Sequence, residues 1–265
     1  MTNNNCLNCG KELTDKYCPG CGQKADTHRI SFQNFLFHDV LHGTFHLEKG
    51  MLFTAKQALT RPGKAALDYI SGKRVRYYNV FYLILITAGF ILFIRHFNDV
   101  LYLNGGGKLD PPHYINEASK RMDEIISQKS KIIIFLFVPF GALTSFILFR
   151  RKKLNLTEHA IIAGMILLGM LLISALGHLF FYLDLIIPFS NTFATVMRRF
   201  VIALIILYIG YGYFNAFSNG YSRLGMACRT GLFFALMCLE TAVLFLILMG
   251  FVTNWKFGTV TVSPF

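Results

Sequence analysis

Residues 60–94 read TRPGKAALDYISGKRVRYYNVFYLILITAGFILFI, and the change in this stretch from a basic, polar segment to an unbroken apolar run decides the fold class. Pro62 suits the first turn of a helix, where its missing N–H costs nothing, and Gly72 suits the position just past the end. The spacing predicts a helix over roughly 62–71. Its apolar residues alternate with Arg61, Lys64, Lys73, Arg74 and Arg76, a mixture expected of an amphipathic helix at an anionic headgroup surface. Tyr77, Tyr78, Phe81 and Tyr82 follow at once, as interfacial aromatics should. These cations read either as a basic anchor that fixes orientation or as a specific lipid-headgroup site.

Downstream, charged residues divide the chain into five apolar runs: 77–94, 132–149, 160–183, 200–222 and 230–255. The first two are uncharged for 18 residues each, slightly short of the ~20 needed to cross a bilayer. The others are longer, and only Glu240 interrupts the last. The expectation is an α-helical polytopic membrane protein with about five transmembrane helices in a domain over 77–255, an outer loop over 98–131 and a tail over 256–265. Within that loop, Asn104-Gly105-Gly106-Gly107 and Pro111-Pro112 break helix, and residues 114–129 predict a surface helix. Composition agrees: 54% hydrophobic residues against 15% charged exclude an ordinary soluble domain. The net charge of +12 could suggest nucleic acid, but the basic residues cluster beside apolar runs, so anionic lipid is the expected partner and nucleic acid is not.

Upstream, residues 1–27 hold Cys6-x2-Cys9 and Cys18-x2-Cys21, with Gly10, Gly20 and Gly22 among them. Two such knuckles point four thiolates at one ion, and the glycines permit the tight turns. The reading is a small zinc ribbon whose Zn2+ is structural, because four protein thiolates leave no position open for water. A head this short buries almost no core, so the metal must supply its folding free energy. Disulfides or a redox pair are the alternatives. The N-terminus shows no signal-peptide pattern, which favours reduced thiols and a cytoplasmic head. With the head inside, cytoplasmic segments collect 17 of the 26 Lys and Arg, although Arg198 and Arg199 fall outside.

Between the head and the first span, residues 28–76 read as interfacial amphipathic helices. Ser31 is a candidate N-cap, and a short helix is expected over 51–59. His38, His42 and His46 recur every four residues; they fit either a polar boundary or a second metal site.

The run R-P-G-x5-Y-I-x-G-K-R-x-R-Y-Y, carried by Arg61, Pro62, Gly63, Tyr69, Ile70, Gly72, Lys73, Arg74, Arg76, Tyr77 and Tyr78 behind the C-x2-C-G and C-P-x-C-G-Q head, resembles a family of uncharacterised bacterial inner-membrane proteins common in Bacteroidetes. That family is known only as a domain of unknown function. The resemblance covers about the first third of the chain, and the proline the family shows after the tyrosine pair is replaced here by Asn79-Val80. It implies an inner-membrane location and carries no activity.

Polar residues in the apolar runs complete the inventory. Asn155-Leu156-Thr157-Glu158 predicts a capping box at the start of the third span. Glu240, with His178 and Asp184 near the outer end of that span, could line a proton or ion path or form a structural hydrogen-bonded pair. Nothing resembles a phosphate loop, a nucleophile elbow or an H-E-x-x-H zinc site. Three classes remain: a membrane-anchored scaffold or adaptor whose ribbon binds a cytoplasmic protein, a small transporter or lipid-handling protein using Glu240 and His178, and a metal-dependent enzyme using the histidine row. Strong site chemistry lies in the head, which favours the scaffold, its spans serving to anchor it and to form a homo-oligomer, over an enzyme.

Overall fold

The computed structural model describes residues 5–25, 50–104, 117–185, 189–253 and 255. The histidine row, the helix expected near Ser31, the glycine- and proline-rich part of the loop and the tail over 256–265 lie outside the described residues. Beyond the head the described chain is helical: α1 (Gly50–Thr60), α2 (Pro62–Ile70), α3 (Val80–Asn104), α4 (Glu117–Phe135), α5 (Phe137–Leu148), α6 (Leu156–Phe181), α7 (Asn191–Phe217) and α8 (Arg223–Thr253).

Among the described residues, α3, α6, α7 and α8 are long and apolar enough to cross a membrane. The apolar run at 132–149 behaves differently. α4 stops at Phe135 and α5 starts at Phe137. Pro139 accounts for the break: it has no N–H to donate, and its ring crowds the carbonyl four residues back, which is that of Phe135. The sequence expectation of a surface helix followed by a separate span is therefore replaced by one amphipathic helix, α4, that runs into the apolar stretch, and a short helix, α5, of 12 residues. α3 continues to Asn104, so the first residues of the expected loop at 98–131 are helical.

α6 is the axis of the bundle. It packs on α1, α2, α3, α5 and α7, and every residue from Ile161 to Gly169 is buried. Its start is fixed by the capping box: the Asn155 side chain accepts the Glu158 N–H at 2.8 Å, and the Glu158 carboxylate accepts the Asn155 N–H at 2.7 Å. Small residues admit large neighbours along it. The Tyr208 ring from α7 crosses directly over Gly169, and the Ile166 side chain lies against Gly212. At the end of the bundle where α6 begins, Phe149 stacks on Phe217 with centroids 4.4 Å apart, and Tyr213 packs on Phe233 at 4.2 Å.

α1 and α2 form a collar on that same end. Arg61, before the proline, leaves the helical region (φ −151°) and separates the two helices. The last carbonyls of α1 are not orphaned: Tyr208 donates to Ala58 O, and Tyr211 donates to Thr60 O at 2.7 Å. α2 buries Pro62, Gly63, Ala65, Ala66 and Tyr69 against α6 and α7. The contact is backbone to backbone, because a Cβ added at Gly63 would stand 2.5 Å from the Gly212 carbonyl oxygen and hard against the Ala216 amide nitrogen. Gly72, just past α2, has φ +101°, which a residue with a side chain adopts only under strain.

Basic groups collect at the collar end. Lys152 donates to Ala216 O at 2.6 Å, and burial lowers its pKa. The Tyr221 ring lies between the Arg151 and Arg229 guanidinium groups, 4.8 and 4.3 Å from its centroid. Arg198 and Arg199 stand in the first half of α7, toward the other end. The outer faces of α7 and α8 remain apolar and uncovered, with Leu207 71% and Phe251 69% exposed, the kind of surface a bundle solvated by lipid presents.

Candidate metal centre

Residues 5–24 are built as two copies of one turn. In the first, Cys6 N–H donates to Lys11 O at 2.7 Å and Gly10 N–H to Cys6 O at 2.8 Å; in the second, Cys18 N–H donates to Gln23 O at 2.8 Å and Gly22 N–H to Cys18 O at 2.9 Å. Bridges Asn5–Glu12 and Tyr17–Lys24 close the two turns. Gly10 and Gly22 hold φ of +77° and +74°, the left-handed conformation that lets each chain reverse around its sulfurs. The repeat is twelve residues long, matching Cys6 with Cys18, Cys9 with Cys21, and Gly10 with Gly22.

The four thiols meet as a result. Cys6 Sγ lies 3.6 Å from Cys21 Sγ, Cys9 Sγ lies 3.5 Å from Cys18 Sγ, and all four fall within 4.8 Å of one another. They are not joined as disulfides. Cys6 and Cys18 are buried, while Cys9 is exposed. The Asn8 side chain, opposed by burial and then aided by further hydrogen bonds to the sulfur, holds the Cys21 thiol down at about 6. Four sulfurs at the corners of one small volume, with an N–H from Gly20 on Cys18 Sγ at 3.4 Å, are a donor set that could hold a single metal ion.

The head touches the collar. The Leu7 side chain, inside the first knuckle, lies over Gly72, so closely that an added Cβ would stand 2.7 Å from Leu7 Cδ1. Gly72 thus has two duties, a left-handed turn and a seat for Leu7.

Of the expected headgroup contacts, two pair with an acid while staying partly exposed. Asp68 binds Lys73 at 3.0 Å and Arg61 at 3.6 Å, and its second oxygen faces Tyr77 Oη at 3.4 Å. Its carbonyl also accepts from Ser71 Oγ at 2.8 Å and from Lys73 N at 3.1 Å. Burial, then the Asp68 charge, pushes the Tyr77 phenol up to about 12, so it stays neutral at any physiological pH. Lys64 is anchored through its backbone, which donates to Asn215 Oδ1 at 2.8 Å. Arg74 lies over the Tyr69 ring at 5.6 Å, and Arg76 is exposed. Asp68 was not singled out in the sequence, although it is the only acid between Lys49 and Asp99. Replacing it by Asn should loosen the loop 71–78: thermal stability in detergent drops by about 1–2 kcal/mol, and trypsin cuts after Lys73, Arg74 or Arg76 several times faster than in the parent chain.

The three intramembrane candidates do not converge. Glu240 Oε1 accepts from Thr144 Oγ1 at 2.8 Å, and Oε2 is buried with no hydrogen-bond partner. His178 is half-buried near the far end of α6, and Asp184 is exposed, accepting from Phe189 N at 2.6 Å. No hydrogen bond or ion pair among the described residues joins them. The buried histidine that sequence reading missed is His159, 1% exposed, with Nδ1 2.9 Å from Ser145 Oγ and its ring stacked 5.5 Å from Phe217. It follows the capping-box Glu158 directly, a position that reads as a wet helix end.

Residues 48–92 match a family described as "Protein of unknown function (DUF3667)". The match begins just before α1 and takes in the whole collar and the first half of α3; the cysteine head lies outside it. No curated protein matches the chain, and no solved structure does. The collar and the start of α3 are therefore the part of this chain that fits an uncharacterised family.

Proposed function

We propose that this protein is a membrane-held scaffold whose zinc-bound head, seated on the collar, presents a binding site to a protein partner at the cytoplasmic face of a bacterial inner membrane. The observation that carries the reading is the closed array of four thiols resting on Gly72 through Leu7. Zinc is the ion of choice: a tetrahedral site with Zn–S of about 2.3 Å sets its sulfurs about 3.8 Å apart, and the Cys6–Cys21 and Cys9–Cys18 pairs stand at 3.6 and 3.5 Å. A fully thiolate-ligated zinc is structural, with no place for a reacting water.

In this reading the chain crosses the bilayer five times, the broken pair α4–α5 making the second passage. The N-terminus is inside, since a reducing compartment keeps the thiols free and the head shares its end of the bundle with Arg151, Lys152 and Arg229. The collar cations meet anionic headgroups, and the uncovered faces of α7 and α8 meet lipid or a second copy.

A second reading, a small transporter or lipid-handling protein using Glu240 and His178, is favoured by one observation, the partnerless buried Oε2 of Glu240. Crosslinking and capture from native membranes separates the two. The scaffold reading expects a defined partner on the parent chain and on Glu240→Gln, and its loss from the Cys18→Ser, Cys21→Ser double variant. Capture unchanged by the double variant, with the cellular phenotype abolished by Glu240→Gln, replaces the scaffold with the transporter.

A further inference from the structure

Two turns at the collar end of the bundle gather cations without an acid to answer them. The turn between α5 and α6 carries Arg150, Arg151, Lys152 and Lys153, and the turn between α7 and α8 leads into Arg223 and Arg229. No Asp or Glu occurs between Glu124 and Glu158 or between Asp184 and Glu240, and the Glu158 carboxylate serves the capping box. Lys152 is turned to Ala216 O, while Arg151 and Arg229 are held around Tyr221. Arg151 Nη1 donates to Gly220 O at 2.9 Å, and the Arg151 backbone N–H donates to Tyr221 Oη at 3.2 Å, which stitches one turn to the other. Arg229 Nη1 donates to Gly225 O at 3.0 Å, one helical turn back in α8. Both guanidinium groups lie against the Tyr221 ring, and that ring is set at 6.0 Å against the fully buried Phe149. Neither arginine pairs with a carboxylate among the described residues.

We propose that Arg151, Arg229 and the Tyr221 hydroxyl form a binding site for the phosphate group of an anionic ligand. All three offer donors. Each guanidinium has five N–H donors, of which Nη1 supplies a carbonyl. Tyr221 Oη accepts from the Arg151 N–H, and its own hydrogen has no acceptor among the described residues. A phosphate brings only acceptors and negative charge, and a guanidinium fork matches two of its oxygens at once. The two guanidinium groups lie at most about 9 Å apart, their distances to the ring laid end to end, a span that one phosphate with a charge-assisted hydrogen bond of about 2.8 Å on each side can bridge around the ring's edge. Two like charges held this close by neutral groups make a positive potential that an anion relieves. Cations that only orient the chain need no such fixing; here the carbonyls and the ring order both side chains in advance, which lowers the cost of binding. The site stands apart from the head and from the cations of α2, so it goes beyond the scaffold reading and does not depend on it.

The same phosphate chemistry occurs in a lipid headgroup and in a free phosphate, and the test separates them. The full chain in a neutral detergent is titrated calorimetrically at constant ionic strength with inorganic phosphate and, separately, with short-chain phosphatidic acid. The proposal expects saturable binding at one site per chain. Arg229→Lys keeps the charge but loses the fork, and Tyr221→Phe keeps the ring but loses the hydroxyl; each should weaken binding about ten-fold, the effect of losing a hydrogen bond to a charged group. Arg150→Gln and Arg223→Gln remove exposed cations of the same cluster and should change binding by no more than about two-fold, because salt screens them. The unfolding temperature of each variant is measured alongside, and Tyr221→Phe, which keeps the contact with Phe149, carries the test if Arg229→Lys fails to fold. Binding of phosphatidic acid alone identifies a lipid headgroup as the source, and binding of inorganic phosphate identifies a free phosphate. No saturable binding of either, or binding weakened as much by Arg223→Gln as by Arg229→Lys, overturns the proposal and leaves diffuse surface charge only. The zinc content of the head enters none of these readouts, so failure here is distinct from failure of the scaffold reading.

Discussion

Gly63→Val should cost the fold about 3 kcal/mol or more, placing it among the severe single substitutions. The reason is the atoms it would meet. A side chain at position 63 points into the backbone of α7 at Gly212 and Ala216, not into flexible side-chain ends that could move aside. Relief requires α2 to lift from α7, and with it go the buried Ala65 and Ala66 and the Lys64–Asn215 hydrogen bond. The measurement is thermal unfolding in detergent, followed by monodisperse recovery from size exclusion; Gly89→Ala, where an added Cβ meets nothing within 4 Å, serves as the control and should unfold with the parent chain. A helix that floated freely at the membrane surface would make Gly63→Val nearly silent.

Loss of the metal should unfold the head and leave the bundle intact. Residues 5–25 bury almost no apolar side chain besides the cysteines themselves, so nothing else offsets the conformational entropy of ordering two turns. In the Cys18→Ser, Cys21→Ser variant, or after treatment with a strong chelator, amide exchange at Cys6, Gly10, Cys18 and Gly22 should rise to the rate of an unfolded peptide. Amides in the middle of α6 should be unchanged, because α6 is held by α1, α2, α3, α5 and α7. Exchange in α2 near Gly72 should rise modestly, as Leu7 leaves its seat.

Local chemistry was legible where it closes on itself. The cysteine spacing foretells the meeting of the four thiols because each C-x2-C with its glycine is a self-contained turn, and the Asn155–Glu158 box needs only four residues to cap α6. Long apolar runs likewise announce α3, α6, α7 and α8. What the sequence hid depends on contacts distant along the chain. Counting charges cannot see that Pro139 ends α4 at Phe135, although the proline itself was in view. Basic residues around α2 suggested a surface helix, whereas its small face, Gly63, Ala65 and Ala66, is pressed on α6 and α7 and only the structure reveals the partner. Nothing in the sequence singled out Asp68 as the partner of both Arg61 and Lys73. Glu240 and His178 are both ionisable residues in long apolar helices, but those helices set them in separate surroundings.

The claim that the head is a closed structural metal site on a membrane scaffold is tested most directly by metal analysis of the full chain purified without chelator. The account predicts one zinc per chain, retained through gel filtration and absent from the Cys18→Ser, Cys21→Ser variant. A chain that carries no zinc, or one whose zinc is unaffected by removing those two thiols, contradicts it.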